Sequence, residues 1–510
     1  MPKISPLPRL RIIKLVPRIS TQCRALTMTA PRYTDGVYRE LTAMRTRVPF
    51  IEAWRQQEEG KGREMTDEGA VGKKAEEGDG PGVKRMRDSF HRVILPLAKD
   101  PWLLDNYITA SGHIRLGTIF MDLDALAGVV SYKHTGEHVM TVTAAVDRIT
   151  LSRPLLEITD LELSGQVTFA TGRSSMEVTL QVAKVSSSSS SPTTLNPSSP
   201  DILMSCTFTM VSLSPTTKRP VKISRIEPEN AVEEELFEQG RRNYERKKRE
   251  LGRGLRNVEP DDEESGLIHR LWLRTLDYHG FFLDRKKHLF VCLTNKYPDP
   301  NTPSRKPAPA HYMSSTTIQS VQIMQPQYRN RHNFMIFGGF LLKSTFELAF
   351  TCASAISHSR PTFIALDPST FENPVPVGSV LYLTATLAYT DRPIISSSSS
   401  QSPSATSPPS SLPTSSSPSS SSPSSTSSAS QSSDSAKKTR LQIRVDTKVK
   451  NVEHGETKPT GQFNYTFEVD GEVQVLPESY REYMIYLDAR RRSRGVEGEG
   501  KGKEEEGLLE

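Results

Sequence analysis

At 510 residues the chain has room for two or three domains, but a hydrophobic content of 35% is too low for one continuous core. A net charge of +6 is mild and spread through tails and linkers, and does not by itself argue for nucleic acid as a partner. The four cysteines (Cys23, Cys206, Cys292, Cys352) form no CxxC pair, against a zinc site or a disulfide framework, and no run of eighteen apolar residues offers a membrane span.

Residues 1–34 carry seven basic residues and no acid, with apolar residues between the charges in "RLRIIKLVPRISTQCRALTM". That pattern is similar to a mitochondrial presequence directing import to the matrix. Pro6, Pro8 and Pro17 interrupt its amphipathic helix and leave a plain basic tail as the alternative. Residues 35–88 read as a partly disordered segment, dominated by Gly, Glu and Lys from 56 onward. A first domain is expected over 89–215. Its "YITASGHIRLGTIFMDLDALAGVVSYKH" (107–134) contains a helix of small and apolar residues. The alternating runs "VMTVTAAVDRITL", "LEITDLELSGQVTFATG", "SSMEVTLQVAKV" and "DILMSCTFTMVSL" follow as strands, with a serine-rich loop opening at 186.

Residues 216–310 predict a helical linker. "PENAVEEELFEQGRRNYERKKRELGRGL" is acidic first and basic later, as a helix dipole favours. Its cluster Arg241, Arg242, Arg246, Lys247, Lys248 and Arg249 has no aromatic platform for nucleic acid. "SGLIHRLWLRTL" is expected to dock on a sheet through Leu267, Leu271 and Trp272. A second domain spans 311–489: a strand in "TTIQSVQIMQP", a helix from near Gly338, then four strands, with a Ser/Pro-rich insert at 396–435. The tail 490–510 reads as disordered. Each block is α+β: one long apolar helix that an antiparallel sheet must wrap.

The helices align as an internal repeat, "LGTIFMDLDALAGVVSYKH" over "GGFLLKSTFELAFTCASAI". Gly117 falls over Gly339, Asp124 over Phe346 and Ala125 over Glu347. Block one keeps an aspartate without a Gly-Gly pair; block two keeps Gly338-Gly339, after Asn330, His332 and Asn333, without the aspartate.

"RLGTIFMDLDALAGVVSYKH" and "NRHNFMIFGGFLLKSTFELA" resemble the tandem hotdog proteins, and more narrowly the mitochondrial acyl-coenzyme A thioesterase family, with "SMEVTLQV", "FENPVPVGS" and "MIYLDARR" in support. The resemblance covers most of residues 90–490. It implies two fused hotdog domains acting as a pseudo-dimer in one chain, an acyl-CoA substrate, no cofactor and no metal. It also implies active sites at the interface between the repeats, and a trimer of fused pairs is the association it suggests. Asp124 would be the base facing Asn333 and Gly339. Asn330 and His332 are alternatives to Asn333, and Gly338, Gly117, Glu347 and His332 would line the substrate. The second, pseudo-symmetric site would pair Arg115 and Gly117 with Phe346 and Glu347 and is degenerate.

Thioester hydrolysis needs an activated water and a polarised carbonyl. A carboxylate can orient and deprotonate the water, or attack the thioester itself; helix N-terminal N–H groups can polarise the carbonyl, and glycine lets the thioester approach that backbone. Asp124 and Asn333 also have readings as capping residues, and Gly338-Gly339 as a packing device. No GxSxG, GxGxxG or HExxH is present. Two other readings stay open: a hotdog dehydratase using His332 with Glu347, and a non-catalytic acyl-CoA binder.

Overall fold

The computed structural model describes residues 82–506, apart from 137, 153–156, 186–193, 196–199, 216, 251–254, 256–257, 279–281, 285–288, 292–305, 331–334 and 393–437. The presequence reading and the serine tracts therefore lie outside the described residues.

In the first repeat, β1 (His91–Leu95) precedes helix α1 (Leu116–Thr135). Then come β2 (Met140–Val146), β3 (Ile149–Leu151), β4 (Leu161–Ala170), β5 (Ser175–Lys184) and β6 (Ile202–Leu213). Helices α2 (Ala231–Glu250) and α3 (Asp262–Tyr278) follow. The second repeat has β7 (Ile318–Ile323), helix α4 (Gly338–Ser357), β8 (Thr362–Leu366), β9 (Ser369–Thr370), β10 (Val380–Thr390), β11 (Lys438–Lys450) and β12 (Thr457–Asp470). Helix α5 (Tyr480–Glu506) comes last.

These twelve strands form one sheet, in the order β7-β10-β11-β12-β8-β3-β6-β5-β4-β1, with β2 pairing both β6 and β9. The sheet crosses from one repeat to the other through antiparallel β8–β3 (Leu366 opposite Ile149) and β9–β2 (Ser369 opposite Val146). Helix α1 is buried almost all round, from Gly117 through Ala127. No amphipathic surface helix has that pattern, and the sheet supplies the cover. The architecture is two hotdog units fused edge to edge.

The helices meet across the pseudo-twofold. A Cβ on Gly339 would lie 2.7 Å from Met121 O and 2.9 Å from Asp124 Cβ, and one on Gly117 would lie 3.3 Å from Phe346 Cδ1. Glycine at 339 therefore permits a backbone approach that alanine could not. The pairs 117–346 and 124–339 run in opposite senses, so the helices pack antiparallel. Where α1 carries its aspartate, α4 carries Phe346, whose ring packs against Phe120, Phe363, Tyr465 and Phe467 with centroids 5.2–5.9 Å apart.

Two boundaries differ from the sequence reading. Order begins before residue 89: Met86 and Ser89 are fully buried, and Ser89 Oγ accepts from Val167 N at 2.9 Å. One apolar residue seats this stretch, which the surrounding composition conceals. The chain beyond Arg490 continues as helix α5 instead of dissolving into a tail. Arg490, Arg491 and Arg494 bind Glu263 and Glu264 of α3 at 2.6–2.8 Å, and Arg494 and Arg490 hold the Glu263 carboxyl at about 2. These charges find partners more than 220 residues away. On α3, Leu271 is fully buried, but Trp272 is 38% exposed and stands against His269. The basic cluster of α2 turns partly inward, where Lys247 Nζ meets Glu177 at 2.8 Å and Asp147 at 3.0 Å. Among the described residues no helix is long and apolar enough to cross a membrane, and no group of ligating side chains could hold a metal.

Candidate active site

Helix α4 starts without a side-chain cap of its own, because its N-cap residue is Phe337. The first-turn N–H groups of a helix need acceptors. Asp124, on α1 of the other repeat, provides one: Gly339 N donates to its Oδ2 at 2.6 Å. Thr143 Oγ1, on β2, donates to its Oδ1 at 2.7 Å. Asp124 is 4% exposed, its carboxyl gripped on both oxygens and placed at the positive end of a helix dipole.

Asp124 opens onto a cavity of about 940 Å³ that both repeats line. The first repeat contributes the α1 face through Gly128, Val129, Tyr132 and Lys133, with β2 and the end of β6. The second contributes Asn330, Met335–Gly338, Leu341 and Phe371–Val375. Gly338 stands beside the carboxylate, where a Cβ would lie 3.3 Å from Asp124 Oδ1.

Asn333 and His332 lie outside the described residues. Asn330 lines the cavity, its N–H donates to Met335 O at 2.7 Å, and its buried Oδ1 meets no donor among the described residues. The Gly339 N–H, expected to face a thioester oxygen, instead donates to Asp124 Oδ2 at 2.6 Å. Thr143 has no signal in the sequence, being one threonine in a run of alternating residues. Only the packing of β2 against α1 singles it out.

Asp122, two positions from Asp124, points into the core, where Tyr107 Oη donates to its Oδ2 at 2.5 Å. Burial pushes its carboxyl up to about 7, against that hydrogen bond and the charge of Lys343. Glu347 and Gly117 stand at the pseudo-symmetric position. Arg115 closes on Glu347 at 2.6 Å and Gly117 packs on Phe346 and Glu347, so that position has an ion pair and a phenyl ring where the first has a carboxylate and a cavity. Arg148, a basic residue near the seam, meets Asp367 at 3.5 Å. Cys352 is buried, and burial raises its thiol to about 12, so it is no nucleophile.

A duplicated hotdog protein with a buried carboxylate gripped across the seam, at the wall of an apolar cavity, belongs to a class that works on acyl thioesters. No family model matches the chain. Among curated proteins, human mitochondrial acyl-coenzyme A thioesterase 9 is 29% identical over 432 residues, covering 82% of this chain and 80% of the human protein. The mouse thioesterase of the same name is 30% identical over 420 residues, covering 80% of this chain and 78% of its own. The chain belongs to this family of mitochondrial acyl-coenzyme A thioesterases. Among solved structures, an acyl-CoA hydrolase from Staphylococcus aureus is 17% identical and matches 38% of this chain and 98% of its own, with a TM-score of 0.26.

Proposed function

We propose that the protein hydrolyses fatty acyl-CoA to free fatty acid and coenzyme A at the seam between its repeats, one site per chain. The observation that carries this is the Asp124 carboxylate, held by Gly339 and Thr143 at the wall of a cavity large enough for a thioester. Asp124 takes a proton from a water as that water attacks the thioester carbon. The carbonyl oxygen, gaining charge, is stabilised by the Asn330 side-chain amide and the N-terminus of α4. The tetrahedral intermediate collapses by breaking the carbon–sulfur bond, and the proton returns from Asp124 to the leaving thiolate. Asn330 takes the part the sequence reading gave to Asn333. Gly339 acts by orienting the base, and Gly338 by leaving room beside it. His332 and Asn333 follow Asn330 closely in the sequence and lie outside the described residues.

The dehydratase reading needs Glu347 as an acid partner, and Glu347 is engaged by Arg115. Purified protein incubated with saturated, enoyl- and 3-hydroxyacyl-CoA tests both ideas. Thiol release is expected, and interconversion of enoyl and hydroxyacyl forms without thiol release would overturn the assignment. The matrix is the compartment the acid-free N-terminus supports, and replacing Arg9, Arg11, Lys14 and Arg18 by glutamine should leave an active enzyme outside mitochondria. Self-association as a trimer draws support from Val321 and Ile323, which are 56% and 61% exposed on the edge strand β7, and light scattering of the purified protein would decide it.

A further inference from the structure

We propose that the cavity is polarised end to end. The coenzyme A arm runs along α1 from Asp124 towards Lys133 and Lys218, and the acyl chain lodges on the other side of the carboxylate, against Ile336, Phe337, Leu341 and Val375. This rests on the thioesterase reading and adds an orientation and two phosphate-binding residues to it.

The charged residues lining the cavity are Asp124, Lys133, Lys218 and Glu372. Their placement follows from two rulers. On α1, Asp124 and Lys133 are nine residues apart, about 13.5 Å at ~1.5 Å per residue. On β2, Ala144 and Met140 are four residues apart, about 13 Å at ~3.3 Å per residue. Phe371 N donates to Ala144 O, which fixes Glu372 at the Asp124 end. Met140 pairs with Leu213, the last residue of β6, and the turn that follows carries Lys218. The cations therefore share the far end, and the acid sits beside the apolar arm.

That polarity suits only one orientation of the substrate. The diphosphate and 3′-phosphate of coenzyme A are anionic and the acyl chain is neutral, so Glu372 repels the first and tolerates the second. The span from carboxylate to lysines is one that an extended pantetheine arm covers. Its floor is open at Gly128, where an added Cβ would meet nothing within 4 Å.

The backbone of Lys218 and the side chain of Lys133 are both fixed. Lys218 has φ 54, a left-handed conformation for a residue with a Cβ, in a turn where its N–H donates to Ser214 O at 2.9 Å. Such strain persists where the position of the side chain is worth it. Lys133 Nζ donates to Phe90 O at 2.8 Å, which orients it, and an ammonium has two more protons to offer. The carbonyl end of α1 would disfavour a phosphate nearby, but Lys84 Nζ caps it, donating to His134 O at 2.7 Å.

The test compares an acyl-CoA with the same acyl group on pantetheine, which keeps the thioester and lacks the phosphates. In the Lys133→Gln, Lys218→Gln double variant, KM for acyl-CoA should rise about tenfold or more, the weight of lost charge-assisted contacts, with kcat kept. KM for acyl-pantetheine should not move, and Lys218→Arg should retain the wild-type KM for acyl-CoA. Gly128→Leu, placed under the pantetheine arm, should raise KM equally for short and long acyl chains. An unchanged KM for acyl-CoA in the lysine variant, or an equal rise for both substrates, would overturn the proposal. A Gly128→Leu enzyme that rejects only long chains would reverse the orientation. Wild-type protein that cleaves neither substrate would instead sink the thioesterase reading itself.

Discussion

Asp124 caps helix α4 and, as proposed, also activates water, and the substitution Asp124→Asn separates the two roles. Asparagine caps helices about as well as aspartate. Its carbonyl oxygen can face the Gly339 N–H that now meets Oδ2 at 2.6 Å, and its NH₂ can donate to Thr143 Oγ1, whose hydroxyl rotates to accept. The seam then keeps its hydrogen bonds, and stability should change by less than about 1 kcal/mol. An amide is no base at neutral pH, so kcat should fall ~10²-fold or more, about 2.7 kcal/mol of barrier, with KM little changed. Asp124→Ala is the contrast: it loses the cap and leaves a buried N–H without an acceptor, at about 1–3 kcal/mol of stability on top of the lost turnover. Thiol release measured continuously against acyl-CoA gives kcat and KM, and thermal melts of the same preparations give stability. If Asp124→Asn turns over at near the wild-type rate, the carboxylate is a structural cap alone. If activity falls only in step with the melting temperature, the catalytic role is equally refuted.

Three further expectations follow from other parts of the molecule. Glu347→Gln breaks the pair with Arg115, whose side chains are 39% and 37% exposed, so it should cost at most about 1 kcal/mol and leave kcat alone; abolished turnover would mean that the two sites have been assigned the wrong way round. The folded Asp122 carboxyl titrates near 7 against an ordinary 3.8, so the unfolded chain releases this proton first, and stability attributable to it falls as pH rises between those values. Asp122→Asn should therefore gain in melting temperature on the wild type at pH 8 and show no gain at pH 4, and parallel curves would contradict the burial argument. Deleting residues 396–435 and closing β10 to β11 with a short turn should leave kcat and melting temperature unchanged, since a Ser/Pro insert costs little as a loop; a large fall in either would show that the tract packs.

What the sequence made legible is what repeats or stands alone. The two apolar helices, their alignment and the exchange of an aspartate for a Gly-Gly pair can all be read from residues adjacent in the chain. Thr143 cannot, because its neighbours Thr141 and Ala144 alternate just as well, and only the register of β2 against β6 turns it towards Asp124. Asn330 and Asn333 look interchangeable in the sequence; the hydrogen bond from Asn330 N to Met335 O accompanies the placing of residue 330 at the cavity, while residue 333 lies outside the described residues. The arginines of α5 read as solvated tail until Glu263 and Glu264 come into contact with them. Local pattern carries secondary structure, whereas partners distant in the chain carry the identity of polar contacts.

The division of Asp124 and Gly339 between covalently joined repeats has a consequence for how such an enzyme could arise and be lost. Two separate copies of the second repeat would set Phe346 against each Gly339, and two copies of the first would offer Asp124 no Gly-Gly neighbour. Neither half can restore the arrangement by self-pairing, so the duplication works as a ratchet: after each copy has shed its own half, neither can be spared. The reward is independence from dilution. An ordinary dimer falls apart as its concentration drops, but here the two halves of the seam are tethered through the chain and share one sheet, so the arrangement should persist at any abundance the cell supplies.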